Sequence, residues 1–157
     1  MFRYRAKNAQ GWGPFSDSLS LIAARRTDQP DTVVTSNEGT EVKITWSEPA
    51  YDGGSPLLGF RITILADDGS YYETRDHCWG EDQTTKGNLF CLVSMTVLRQ
   101  DPYFLTQGSV VKAKVEGLNI IGYSEPSITN VSGADIRTPP NKPSALVQRV
   151  DEETTDT

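Results

Sequence analysis

The stretch VKITWSEPAYDGGSPLLGFRITI, residues 42–64, decides the fold of this chain. Val42, Ile44 and Trp46 alternate with polar residues before the loop, and the same alternation resumes at Phe60 after it. An apolar residue at every second position puts the apolar side chains on one face of a strand. The pattern therefore predicts two half-buried strands, and the segment between them, rich in Pro, Gly and Asp, predicts a loop.

The order of residues in this stretch resembles part of a fibronectin type III domain. The run V-x-I-x-W-x-x-P that ends at Pro49, followed by D-G-G-S-P-L-x-G-F-x-I from Asp52, is similar to the B strand, B–C loop and C strand of that family. The resemblance implies an all-β fold, a seven-stranded immunoglobulin-like sandwich. We expect these residues in its core: Val42, Ile44, Trp46, Phe60, Ile62, Leu105 and Val115. A recognition role for Trp46 at the surface is the alternative.

Alternation and turn residues divide the chain between Pro30 and Pro139 into seven predicted strands. The predicted strands are 32–35, 41–46, 58–65, 70–74, 89–95, 109–118 and one within 127–138. Residues 75–88 are predicted to form a long linker, and residues 98–107 a crossover between strands.

A repeat as long as a whole domain connects distant parts of the chain. Residues 2–16, FRYRAKNAQGWGPFS, are similar to the F strand, F–G turn and start of the G strand in the same family, and residues 113–124 repeat this pattern. Asn8 in the first copy matches Asn119, 111 positions later. A tandem array has such a period. We therefore expect three parts: residues 1–29 as the F–G end of a preceding module, 30–140 as one complete module, and 141–157 as the start of a following module or a linker.

Charge and hydropathy argue against two kinds of partner. The 157 residues include 15 basic and 21 acidic side chains, a net charge of −6. Nucleic-acid phosphates require clustered Lys and Arg, so no nucleic-acid partner is expected. No apolar run approaches the roughly 20 residues that span a bilayer, so no direct membrane insertion is expected. Met1 is followed by a strand-like segment and not by the apolar core of a secretory signal.

The two cysteines, Cys78 and Cys91, indicate either one disulfide or two free thiols. A bridge would close a loop of about 14 residues and would contribute roughly 3 kcal/mol. Disulfides form and persist in oxidising environments, so we expect an extracellular or cell-surface location as part of a larger protein. The sequon Asn130-Val131-Ser132 makes Asn130 a candidate for N-glycosylation.

The residues around the cysteines carry a second, narrower resemblance. The runs CWG from Cys78, CLVSMTVLR from Cys91 and YFLTQGSVVKAKV from Tyr103 resemble disulfide-bearing repeats of large cell-surface proteins of single-celled eukaryotes. This resemblance implies a surface-exposed array.

No group of residues predicts catalysis, a metal or a cofactor. His77 is the only histidine, and together with the two cysteines it offers three zinc ligands where a structural site takes four. A thiol dyad of Cys91 and His77 lacks any feature that would activate the thiol. Four acidic residues could bind calcium but do not follow the spacing of a calcium loop: Glu48, Asp52, Glu81 and Asp82.

The expected function is that of a non-catalytic extracellular module, acting as a spacer, an adhesion unit or a unit of a surface assembly. Its expected partners are neighbouring modules or other copies of the chain, and Trp12 and Phe15 are the expected contact residues. An intracellular scaffold of the same tandem modules and an accessory module of a larger enzyme are the alternatives. If Met1 is a true start, strand donation from a partner chain would have to complete the first hairpin.

Overall fold

Residues 1–21 and 23–140 are described by a computed structural model. The predicted start of a following module, residues 141–157, lies outside them. The described elements, in chain order, are β1 (Lys7–Asn8), β2 (Gly11–Trp12), β3 (Val34–Glu38), β4 (Glu41–Thr45), β5 (Gly59–Leu65), β6 (Tyr71–Glu73), α1 (Gln83–Asn88), β7 (Phe90–Ser94), α2 (Met95–Leu98), β8 (Ala113–Asn119) and β9 (Gly122–Tyr123).

Seven of these strands, β3 to β9, form the two layers of a sandwich. One sheet has the order β3-β4-β7 and the other β6-β5-β8-β9, and every pair is antiparallel. Strands β1 and β2 form a separate hairpin near the start of the chain. The predicted fold class is confirmed: an all-β, immunoglobulin-like sandwich.

The core lies between the two sheets, where the alternating side chains of both meet. All seven residues expected in the core are buried: Val42, Ile44, Trp46, Phe60, Ile62, Leu105 and Val115. The ring centroids of Trp46 and Phe60 are 5.6 Å apart across the layers, with a tilt of 60°. The surface alternative for Trp46 is wrong, because its side chain is only 5% exposed.

Two short helices occupy segments in which the sequence predicted none. Helix α1 lies in the predicted linker 75–88 and begins after Asp82, whose carboxylate accepts the N–H groups of Thr84 (2.9 Å) and Thr85 (3.3 Å). Helix α2 follows β7 at once, and Ser94 caps it in the same way. Both helices depend on an N-cap side chain and are too short to show an amphipathic period.

The last predicted strand, within 127–138, is wrong in its position, because β9 ends at Tyr123. Beyond β9, side-chain oxygens take the place of backbone carbonyls as acceptors for β8, while the N–H groups of Ser124 and Ser127 still donate to β8 carbonyls. Three side-chain oxygens accept N–H groups of that strand: Ser124 from Gly117 (3.0 Å), Ser127 from Val115 (3.1 Å) and Asn130 from Ala113 (2.8 Å). The acceptors recur at every third residue and the donors at every second, so this segment cannot have the period of a strand.

Replacing the core tryptophan tests the packing between the sheets. We expect Trp46→Ala to lower the free energy of unfolding by about 3–5 kcal/mol, because the cavity it leaves can collapse only in part. Trp12→Ala is a matched control at a position 56% exposed and should change it by less than about 1 kcal/mol. Urea unfolding followed by circular dichroism measures both, and equal losses would contradict the buried position of Trp46.

Candidate functional site

The turn at residues 8–11 has the same hydrogen bonds as the turn at residues 119–122, which joins β8 to β9. Asn8 Oδ1 accepts the N–H groups of Gln10 (2.9 Å) and Gly11 (3.1 Å). At the positions 111 residues later, the Oδ1 atom of Asn119 accepts the N–H groups of residues 121 (2.9 Å) and 122 (3.3 Å). The asparagine closes the turn in both copies, where a short polar side chain can bond its own backbone two residues on.

The strands that flank these turns correspond in the same way. In the first copy Ser16 donates its N–H to the Tyr4 carbonyl (2.8 Å), and its Oγ accepts the N–H of Tyr4 (3.2 Å). In the second copy Ser127 makes both bonds with Val115, at 2.8 and 3.1 Å. The residues 2–19 therefore adopt the backbone arrangement of an F–G hairpin.

The inner face of this first hairpin is exposed. Phe2 and Tyr4 occupy the positions of Ala113 and Val115, which are fully buried in the sandwich. In the first copy they are 64% and 79% exposed, because no second sheet covers them among the residues that the structure describes. This apolar face corresponds to the core-facing side of the sandwich, but no described residues cover it.

The outer face of the first hairpin carries the two residues expected to contact a partner. Trp12 and Phe15 alternate in space with the cations of the neighbouring strand. The Arg5 guanidinium lies 4.5 Å from the centroid of the Trp12 ring and 4.8 Å from that of Phe15, and Arg3 and Lys7 flank the stack. Such cation–π contacts hold both rings in place while leaving about half of each exposed.

A charged pair on the outer face of the larger sheet was missed from the sequence. Arg61 donates from Nε to Glu116 Oε2 (2.6 Å) and from Nη2 to Oε1 (2.5 Å), and its guanidinium lies 4.2 Å from the Tyr123 ring centroid. These hydrogen bonds, which the Glu116 carboxylate accepts, raise the pKa of Arg61. Both residues stood at outward positions of predicted strands, but only the pairing of β5 with β8 puts them opposite each other.

A disulfide joins Cys78 and Cys91, with their Cα atoms 5.5 Å apart. Both cysteines are buried, so the bridge fixes the segment 75–89 to β7 from inside the core. The Cys91–His77 dyad is therefore wrong, because the sulfur of Cys91 is bonded to Cys78.

The segment 75–89 covers part of the edge of the larger sheet. The Gly80 carbonyl accepts the N–H of Phe60 (3.0 Å), and Lys86 Nζ donates to the Leu57 carbonyl. A Cβ atom at Gly80 would lie 2.3 Å from the carbonyl oxygen of Phe60, so only glycine permits this approach. The segment thus pairs with the half of β5 that β6 leaves open, and it protects an edge that could bind other strands.

Three of the four acidic residues considered for calcium have other roles. Asp52 Oδ1 accepts the Gly54 N–H (2.8 Å) in the B–C loop, Asp82 caps α1, and Glu81 accepts from the Tyr123 hydroxyl (3.4 Å). Within residues 1–21 and 23–140, no three His, Cys, Asp or Glu side chains lie where they could share a metal ion. None of the helices in this part of the chain is long and apolar enough to span a membrane.

The glycosylation candidate Asn130 is buried. Its Nδ2 atom, to which a glycan would be attached, donates to the carbonyls of Val111 (2.9 Å) and Ser132 (3.1 Å) and to Thr35 Oγ1 (3.2 Å). Its Oδ1 atom accepts the N–H of Ala113. The expectation of a glycan is corrected on this ground, since the folded domain leaves no room around the amide.

No protein-family model matches the chain. Among curated proteins it is similar to Myomesin-2 of Homo sapiens, with 26% identity over 132 residues, and to the striated-muscle M-protein of Gallus gallus, with 25% identity over 132 residues. The match covers 81% of this chain and 8% of each relative. These likenesses support an immunoglobulin- or fibronectin type III-like domain in the chain.

Solved structures with a similar backbone include a crystal structure of titin domains, with 22% identity and a TM-score of 0.47 over 71% of this chain and 34% of that one. A twitchin kinase region from C. elegans has 19% identity and a TM-score of 0.49 over 68% of this chain and 16% of that one. At these scores the likenesses carry no argument about function.

The relatives overturn the expected location. Myomesin-2 and the striated-muscle M-protein are intracellular sarcomeric proteins, so they contradict an extracellular or cell-surface setting. The cysteine pair and the sequon together had favoured an oxidising compartment, but neither feature is confined to one. The narrower resemblance to surface repeats of single-celled eukaryotes stays a prediction.

Removing the Asn130 side chain tests its structural role. We expect Asn130→Ala to lower the free energy of unfolding by about 2–3 kcal/mol, because it leaves buried backbone groups without partners. Ser132→Ala is the control: it destroys the sequon but keeps the bond to the Ser132 carbonyl, and it should change the free energy by less than about 0.5 kcal/mol. Denaturant unfolding measures both variants. A glycan on Asn130 in the folded natural protein, seen by mass spectrometry, would contradict the buried amide.

Opening the disulfide tests how firmly the segment 75–89 is held. We expect reduction to lower the free energy of unfolding by about 3 kcal/mol, as a closed loop of this length implies. The double variant Cys78→Ala, Cys91→Ala should lose at least as much stability without any reductant, because it also removes two buried sulfur atoms. It thereby controls for side effects of the reductant. Guanidinium unfolding with and without reductant gives the difference. An unchanged midpoint would show that other contacts alone hold the segment.

Proposed function

We propose that this chain is a non-catalytic segment of a tandem array of fibronectin type III modules, and that the array is an intracellular scaffold. One observation carries the tandem array: residues 2–19 reproduce the F–G hydrogen bonds of the sandwich at an interval of 111 residues. The proposed division is 1–29 as the end of one module, 30–140 as the next, and 141–157 as the start of a third module or a linker.

The exposed inner face of the first hairpin supports this division. A two-stranded hairpin by itself is marginal in water, because it cannot bury an apolar face. Phe2 and Tyr4 stand at core positions of the repeat, so the other strands of a preceding sandwich would cover them. Trp12 and Phe15, on the opposite face, are the proposed contact with a neighbouring module.

The intracellular setting is supported by the relatives and is compatible with the cysteines. Disulfides are rare where the cytosol keeps thiols reduced. Cys78 and Cys91 lie in the core, however, and buried thiols pack as small apolar groups. The same pair can therefore fill the core in either redox state, with lower stability when reduced. An accessory role in a larger enzyme stays a prediction.

An antibody raised against the folded domain tests both parts of the proposal in cells that express the natural protein. On an immunoblot we expect a polypeptide far larger than the 17.3 kDa of this chain, and in microscopy a signal only after the cells are permeabilised. Antibody pre-absorbed with the recombinant chain is the control. A natural polypeptide of 17.3 kDa would overturn the array, and staining of intact cells would overturn the intracellular scaffold.

A further inference from the structure

Residues 23–29, here called the linker, connect the first hairpin to the sandwich and lie against one end of it. The N–H of Arg25 donates to the Gly53 carbonyl (2.9 Å), and the N–H of Asp28 donates to the Tyr51 carbonyl (2.9 Å). Gln29 Nε2 also bonds the sandwich, through the carbonyl of residue 126 (2.6 Å). Hydrogen bonds at Arg25, Asp28 and Gln29 thus hold the linker against the sandwich.

The side chain of Asn119 connects the linker to two loops of the sandwich. Its Nδ2 donates to the carbonyl oxygens of Arg25 (2.7 Å) and Asp52 (2.8 Å), while its Oδ1 closes the turn after β8. The residue is only 1% exposed, so these bonds form away from water. Buried donors with two partners hold their neighbours firmly, since each lost bond would leave a desolvated group.

The backbone at Gly53 fits closely under the linker. Its φ is +81°, a conformation that favours glycine. A Cβ atom at this position would lie 2.1 Å from the Arg25 carbonyl oxygen and 2.7 Å from that of Arg26. The B–C loop glycine identified in the sequence therefore has a second role, because it lets the two backbones come into contact.

Charges add little to this arrangement. Arg25 pairs with Asp28 at 2.7 Å and lies 4.9 Å from the Tyr51 ring centroid, but both members of the pair are largely in solvent. Exposed ion pairs contribute about 0–1 kcal/mol. The backbone bonds and the Asn119 amide therefore decide the position of the linker.

We propose that this end of the sandwich, formed by Asn119, Asp52 and Gly53, is a seat that receives the linker of the preceding module and fixes the direction in which one module enters the next. This inference rests on the tandem array proposed above. An array joined by seated linkers is stiff, whereas flexible linkers would let each module reorient independently.

A repeat in the linker itself extends the inference. Residues 23–27 read A-x-x-R-T, and residues 134–138 repeat this pattern at the same interval of 111. Arg137 and Thr138 thus correspond to Arg26 and Thr27, where the chain enters its seat. From this correspondence we expect the segment 134–138 to lead into another module of the same kind, with an asparagine and a glycine in the positions of Asn119 and Gly53.

Amide hydrogen exchange on the full chain, followed by NMR, tests the seat. The variant Asn119→Asp keeps the oxygen that closes the turn but turns a second oxygen toward two carbonyls. We expect it to speed exchange at the Arg25 and Asp28 amides at least about tenfold. The Leu65 amide in the sheet, which donates to the Lys112 carbonyl (2.9 Å), should keep its protection. Asn8→Asp is the matched control, since Asn8 makes the same turn bonds in the first hairpin.

Two results would overturn the seat: linker amides that exchange in the wild type as fast as in an unstructured peptide, or equal protection in wild type and Asn119→Asp. If Asn119→Asp loses protection throughout the sheet, the variant has disturbed the whole domain, and measurements on the wild type alone must test the seat. Backbone order parameters from ¹⁵N relaxation should then be about 0.85 for residues 25–28, as in rigid strands, and values below about 0.6 would overturn the proposal. Neither measurement depends on where the natural protein is found or how long it is, so the seat and the scaffold can fail separately.

Discussion

The pairing of β5 with β8 is the interaction on which the other features depend. It sets Ile62 opposite Val115 in the core and, one residue along, Arg61 opposite Glu116 on the outer face. Because side chains alternate across a strand, a shift of one residue would exchange core and surface. The same register ends β8 at Asn119, beside the B–C loop, so the linker seat follows from it as well.

The core and the positions of most strands along the chain could be predicted from the sequence, because period-two alternation is strong where a strand is buried on one side only. The path after β9 could not. There Ser124, Ser127 and Asn130 bond β8 through their side chains, and a spacing of three has no strand signature. Asn130 also shows why a sequon alone misleads, since the same amide that could carry a glycan here completes the pairing of a buried strand.

The candidate site was only partly readable for a similar reason. Trp12 and Phe15 stand out as aromatic residues near a turn, whereas Asn119 looks like an ordinary turn residue. Its second role needs a linker and a loop that are distant in sequence, at Arg25 and Asp52. Long-range contacts of this kind leave no local pattern. The repeat of Asn8 at Asn119 could be seen in the sequence, but it indicated a tandem array and not the contact between the linker and the sandwich.

The cysteine pair fits the core of the sandwich without fixing the cellular compartment of the protein. Its position in the core satisfies packing whether or not the bond forms, so the sandwich itself does not dictate an oxidising location. The features that do bear on function lie at the ends of the module. An exposed hairpin face without its sheet and a linker bound by a buried amide both make sense when a module has neighbours. In a domain without neighbours, ordering the linker would cost about 1–2 kcal/mol of conformational entropy per residue, and a fixed linker direction would serve no purpose.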